Sequence, residues 1–313
     1  MRNLFVAGAM LYSLFSTAAQ AASAGCDRAC LHGFADQYVA ALVAHDPNRL
    51  PFAKNVRFTE NGQVMELGDG FWATVSGDGA KASKIYFSET AAGQVGYFGA
   101  MEEAGNPVIL YLRLKVTGRQ ITEVETLISR KETPEFYKPL ELKNKAVFED
   151  VLPPAQRRSR TQMIDTIRAY FEAQIQAKYN DAIFSPACQR IENGVITASN
   201  PNADKMGKLS CGDQIKTGVS ALLTREREAR FFVVDEERGL IGTIFLFDHD
   251  GSKQSVNLTF ADGTTAERKS SSGSPFSWLA GELFKIRDGK IEQIEIVIVK
   301  TPYRMPSGWP AAQ

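Results

Sequence analysis

The sequence predicts an α+β fold built twice, and three observations predict it. Apolar residues at helical spacing precede a series of short strand-like runs, once within residues 22–155 and again within 156–313. Three segments recur in the same order in the two stretches. Gly-rich and Asp-Gly turns separate the strand runs closely enough to make hairpins, which implies curved antiparallel sheets.

Taken in order, the elements justify this plan. Residues 1–21 read as an export signal, with Arg2 as the positive start, an apolar stretch from Leu4 to Phe15, and Ala19-Gln20-Ala21 as the small-residue cleavage site. That stretch is too short to span a bilayer of roughly 30 Å, so stable membrane insertion is not expected and the mature chain is placed in the periplasm or outside the cell. Tyr38 to Asp46 and Phe171 to Asp181 are the two helical repeats. Glu60-Asn61-Gly62 recurs as Glu192-Asn193-Gly194, a hairpin-type turn after a strand. Leu114 to Glu125 matches Phe284 to Glu295, each a strand, turn and strand. Further strands are expected at Lys84 to Ser88, Gln94 to Met101 and Val108 to Val116, then at Ala229 to Asp235, Leu240 to Asp248 and Phe276 to Ile286. A short helix within Lys131 to Asp150 bridges the halves, and Pro153-Pro154 ends it, which sets the boundary near residue 155. Gly251 to Ser274 is polar and Gly-rich and reads as a mobile surface loop.

Composition bounds the function. Of 313 residues, 36 are basic and 36 acidic, so there is no electrostatic footprint for nucleic acid. Neutrality favours a weakly ionised apolar ligand unless a pocket carries local charge. All four cysteines, Cys26, Cys30, Cys188 and Cys211, follow the signal, in a compartment that favours disulfides. Three pairings exist; proximity in sequence favours Cys26 with Cys30 and Cys188 with Cys211. No zinc spacing accompanies them. No nucleotide-binding, flavin, nucleophile-elbow or zincin motif is present either, so no cofactor and no metal are expected. Asp248-His249-Asp250-Gly251 mixes ligand types but ends on a turn signal.

Several segments resemble a known family. Glu282 to Glu295 is similar to the C-terminal hairpin of SnoaL-like domains, of the nuclear-transport-factor-2-like superfamily. Cys26 to Leu31, Phe58 to Gly62 and Pro302 to Trp309 resemble a group of secreted bacterial and fungal proteins. The resemblance implies two tandem SnoaL-like cones, paired sheet against sheet as an intramolecular pseudo-dimer, either monomeric or further assembled. It also implies a small-molecule pocket in a fold that serves cofactor-free cyclases, isomerases, dehydratases and lyases as well as non-catalytic binders. Where the family's tail carries Gly after Pro-Tyr, this chain has Arg304, as a tuning residue or a solvated charge.

Alternation along strands singles out the chemistry. Trp278, Ala280, Glu282 and Phe284 share a face, so Glu282 is an acid among aromatics, either a proton-transfer group or one member of an ion pair. His249 shares a face with Phe245 and Phe247 and is either a proton shuttle or a loop histidine. Tyr303 or Arg190 would stabilise an anion. Tyr111 and Arg113 line the cone if their face is the inner one, and contact the other half if it is the outer. His45, Tyr86 and Tyr97 are comparable candidates. The expected catalytic set is therefore His249, Glu282 and Tyr303, with Arg190, Trp278, Phe247, Tyr111 and Arg113 binding substrate. The expected activity is an exported lyase, isomerase or dehydratase acting on a hydrophobic aromatic or polycyclic molecule. Carbon–carbon cleavage with release of formaldehyde is one reaction the resemblance suits. The alternative is a periplasmic binding protein without turnover.

Overall fold

The computed structural model describes residues 25–79, 84–131, 137–142, 145–176 and 179–310. The export signal lies outside them. The first half runs α1 (Arg28–Val43), β1 (Phe52–Glu60), β2 (Gln63–Val64), α2 (Phe71–Thr74), β3 (Val75–Gly77), β4 (Lys84–Glu89), β5 (Gln94–Glu103), β6 (Asn106–Thr117) and β7 (Gln120–Ser129). A one-turn helix α3 (Ala146–Glu149) precedes the Pro-Pro segment. The second half runs α4 (Arg160–Gln176), β8 (Phe184–Glu192), β9 (Val195–Ala198), α5 (Cys211–Lys216), β10 (Arg225–Asp235), β11 (Leu240–His249), β12 (Ser255–Thr259), β13 (Thr265–Lys269), β14 (Phe276–Arg287) and β15 (Lys290–Pro302).

The architecture is α+β. The first sheet has the order β2-β1-β7-β6-β5-β3, with β4 also on β5, and the second has β10-β11-β14-β15-β8-β9. Each is antiparallel except for one pair, β1 with β7 and β8 with β15, which run parallel. Sequence patterning missed these pairs because a strand that returns beside an earlier one leaves no local turn signal.

The repeated turns form alike. Asn61-Gly62 joins β1 to β2 and Asn193-Gly194 joins β8 to β9, both with two-residue loops. All four residues have positive φ, at 49° and 82°, then 44° and 83°, as the type I′ turn requires. Asn61 brackets Ile128, accepting its N–H and donating to its carbonyl, and Asn193 does the same with Ile298.

α1 lies on one face of the first sheet with Tyr38, Trp72, Tyr97 and Leu112 in its core, and α4 lies on the second sheet over Phe245, Phe284 and Ile294. The other faces of the two sheets share a third core. There Tyr111 donates its hydroxyl to the carbonyls of Thr243 and Glu282, 3.1 and 3.3 Å away. Gly281 and Gly242 make this approach possible: a Cβ would lie 2.6 Å from the Tyr111 ring or 2.4 Å from Phe87.

Gly251 to Ser274, expected to be a loop, contains the hairpin β12–β13. Its alternating Leu258 and Phe260 are buried and Thr259 N–H bonds Thr217 O, so the polar composition describes only its outer face. The disulfides are Cys26–Cys30 and Cys188–Cys211. Both are consistent with an extracellular location. Among the described residues, no helix is long and apolar enough to cross a membrane.

Candidate functional site

Glu282 lies midway along β14, opposite Thr243 of β11, and is fully buried at 0% exposure. Alternation sends Leu279 and Leu283 to the shared core between the sheets and Ala280, Glu282 and Phe284 toward α4. Tyr170 of α4 donates to Glu282 Oε1 at 3.3 Å, and Gln174, one helical turn on, donates to the Tyr170 hydroxyl at 3.1 Å. Glu282 Oε2 has no hydrogen-bond partner among the described residues.

Arg190 of β8 completes the cluster. Its guanidinium holds Glu192 at 2.7 Å and donates to Gln214 Oε1 at 2.5 Å. The Cys188–Cys211 disulfide explains that reach. Arg190 follows Cys188 by two residues, on the same strand face, and Gln214 follows Cys211 by three, on the same side of α5. The crosslink therefore carries both partners with it.

Burial pushes the Glu282 carboxyl up to about 8, against the opposing pull of Arg190 and of the Tyr170 hydrogen bond. Burial also raises the Tyr170 phenol above its ordinary range. At neutral pH Glu282 is thus mostly protonated. A weakly solvated carboxyl with one oxygen unengaged, a phenol and a guanidinium meet in one buried cluster within the apolar core under α4.

The other expected residues lie elsewhere. His249 is on the same sheet face, but six residues along β11 from Thr243, roughly 20 Å at strand rise. It is buried, stacks on Phe276 at 4.2 Å and meets the Trp278 edge at 4.7 Å, and its Nε2 has no partner among the described residues. Desolvation lowers it to about 4, so it is neutral at pH 7. Trp278 belongs to this distal aromatic patch, while Phe247, its cross-strand partner, packs on Phe171 and Phe245. Tyr303, 40% exposed, follows the end of β15 at the same end of the sheet. The structure does not bring His249, Glu282 and Tyr303 together.

Tyr111 and Arg113 occupy the outer face and contact the other half. Arg113 and Arg230 converge on Glu125 at 2.9 and 2.5 Å, and the Arg113 guanidinium lies 4.4 Å from the Trp309 ring centroid. Arg304 is exposed and has φ +61°, the left-handed region that favours glycine. Of the comparable candidates, His45 Nδ1 is 2.6 Å from Trp72 O, while Tyr86 and Tyr97 pack edge to face in the first half.

Tyr170, Gln174 and Gln214 were missed by the sequence reading. Met163, Ile167, Tyr170 and Gln174 form one buried helical stripe, and an amide ending an apolar stripe was the available signal.

Residues 156–298 match the model of a family described as a domain of unknown function, DUF8021. No curated protein sequence matches the chain. Among solved structures, a putative SnoaL-like polyketide cyclase from Jannaschia sp. CCS1 is 14% identical, with 48% of this chain and 90% of that one covered, at a TM-score of 0.26. A putative isomerase from Bacillus subtilis is 12% identical over 44% and 87%, at 0.29. An NTF2-like protein of unknown function from Cytophaga hutchinsonii is 11% identical over 32% and 89%, at 0.25.

Proposed function

We propose that the chain is two copies of one SnoaL-like cone, residues 22–155 and 156–313, joined as an intramolecular pseudo-dimer. In this reading the second copy is an exported, cofactor-independent proton-transfer enzyme for a hydrophobic aromatic small molecule. One observation carries the catalytic part: Glu282 is fully buried, half-satisfied, and flanked by Tyr170 and Arg190. Matching the two repeated turns and their strand partners supports the duplication.

Proton transfer follows from the cluster. Ionised Glu282 takes a proton from a substrate carbon through Oε2, and the C–H electron pair stays on the substrate as a delocalised anion. Arg190 and the Tyr170 hydroxyl stabilise that anion. Return of the proton to another carbon gives an isomerase; expulsion of a leaving group gives a dehydratase or lyase. A carboxyl with a value near 8 is a stronger base than an ordinary one once ionised, and the rate rises with pH through about 8. Substrate enters from the cleft of about 670 Å³ between α4 and β10, whose Phe171 packs on Phe245 one face position from Thr243. Displacement of the Phe171 ring opens the way.

The test is to incubate the mature protein with aromatic and terpenoid metabolites without added cofactor and to follow mass and deuterium exchange. Turnover that disappears in Glu282→Gln while ligand affinity persists supports the enzyme. Bound ligand without product or exchange at any pH supports the binding protein.

A further inference from the structure

A second cleft, of about 710 Å³, lies between the start of α1, β4 and the segment joining the halves. Its charged lining is lopsided: Arg28, Lys84, Lys145 and Arg238 stand against Asp27 and Glu149. Arg28 is engaged by Asp235 at 2.6 Å, and Arg238 lies 3.3 Å from Glu237. Asp27 is occupied as the cap of α1, accepting the Cys30 N–H.

The two lysines differ from the arginines. Lys84 has no carboxylate partner among the described residues. Lys145 donates to the neutral amide of Gln189 at 2.7 Å. Burial lowers Lys145 and raises its electrostatic partner Glu295, while their mutual attraction opposes both shifts. Lys84 thus faces the cleft without a carboxylate of its own, and Lys145, held by a neutral amide, adds a second amine beside it. Beside them His32 and Tyr86 stack at 5.2 Å, with rings 24° apart, and Phe148 adds an apolar wall. Burial, Arg28 and Arg238 hold His32 below its ordinary value, so it contributes a ring rather than a charge at pH 7.

We propose that this cleft binds a small aryl carboxylate, its carboxylate between Lys84 and Lys145 and its ring against the His32–Tyr86 pair. A neutral chain otherwise lacks long-range attraction for an anion, so recognition rests on this local charge. The site is independent of the proton-transfer reading and shares no lining residue with it, although Lys145 holds Gln189, the residue before Arg190.

The experiment is calorimetric titration of the full mature chain with benzoate at pH 7 and low salt, with benzyl alcohol and acetate as comparison ligands. Saturable 1:1 binding of benzoate is expected, at least tenfold tighter than either comparison ligand. Lys84→Glu, a change on a partly exposed strand residue, is expected to weaken it at least tenfold, Lys84→Arg to preserve it, and Glu282→Gln to leave it unchanged. Absence of saturable benzoate binding, equal binding of benzyl alcohol, or full affinity in Lys84→Glu overturns the proposal. Loss of binding in Glu282→Gln alone overturns it too, by moving the ligand to the second half's core.

Discussion

One ladder of paired residues crosses each sheet. In the first half it runs Glu60, Thr126, Leu112, Tyr97, and in the second Glu192, Ile296, Glu282, Thr243. The backbones correspond, but Leu112 stands where the second half has Glu282, and Tyr97 where it has the smaller Thr243. Two residues before the ladder, Phe58 occupies the place of Arg190. The first interior is filled by Tyr38, Trp72 and Tyr97, with the Trp72 indole donating to Tyr38 at 3.0 Å. The second keeps a carboxyl, a phenol and a guanidinium. Matching ladders therefore differ at a few inward positions, and of the two it is the second that places a fully buried carboxyl at the centre of its sheet.

The outer faces differ in the opposite sense. Glu125 and Glu295 are equivalent, each buried and each facing the other half. Glu125 pairs with Arg113 across its own sheet and Arg230 of the second half. At the place of Arg113 the second half has Leu283, and Glu295 Oε2 lacks a hydrogen-bond partner among the described residues. Burial raises both carboxyls, but Arg230 and Arg113 overcome it at Glu125, leaving it below its ordinary value, while Glu295 stays raised.

The largest effect expected from breaking these contrasts is catalytic. Glu282→Gln is predicted to cut turnover about 100-fold or more, the usual share of a general base, with Leu112→Gln indifferent if it folds. Arg190→Met is expected to cost about 100-fold and Tyr170→Phe less, read as kcat with little change in KM. In stability, Glu125→Ala leaves two arginines facing each other and is expected to cost about 3–5 kcal/mol by urea denaturation, against near neutrality for Glu295→Gln. Removing Cys188–Cys211 by a double Ser substitution is expected to cost about 3 kcal/mol and to lower turnover too, because Gln214 no longer holds Arg190.

The last contrast is the pH dependence, and its sign separates the two kinds of acid. Glu125 is lowered in the folded state, so its contribution is present above the ordinary Glu value and is lost as pH falls through its folded value. Glu282 is raised, so the folded state holds a proton that the unfolded state has released between about 4.5 and about 8. Stability therefore declines across that window as pH rises, by at most roughly 1.4 kcal/mol per pH unit for this group. Glu282→Gln is predicted to flatten that slope in denaturation midpoints measured from pH 5 to 8.

Much of this organisation was legible in the sequence. The repeated Glu-Asn-Gly turns and the paired strand-turn-strand segments carry local signals, and alternation placed Glu282 on the face with Ala280 and Phe284. What escaped depends on distant contacts. Tyr170 meets Glu282 only after α4 crosses the sheet, and Gln214 meets Arg190 beside a crosslink between cysteines 23 residues apart. Alternation likewise put His249 on the face of Phe245 and Phe247, which the register shows to be that of Glu282, but a shared face fixes direction and not distance. For Tyr111 and Arg113 the pattern left two faces open, and the contacts with Thr243 and Trp309 assign the outer one.

The most direct test of the central claim is a 13C NMR titration of the side-chain carboxyls, with Glu282 assigned by comparison with Glu282→Gln. Glu282 is expected to give a resonance that titrates near pH 8 and moves lower when substrate-free Phe171→Ala admits water above the carboxyl. A Glu282 resonance titrating near 4.5 in the intact chain, like that of an exposed glutamate, would contradict it.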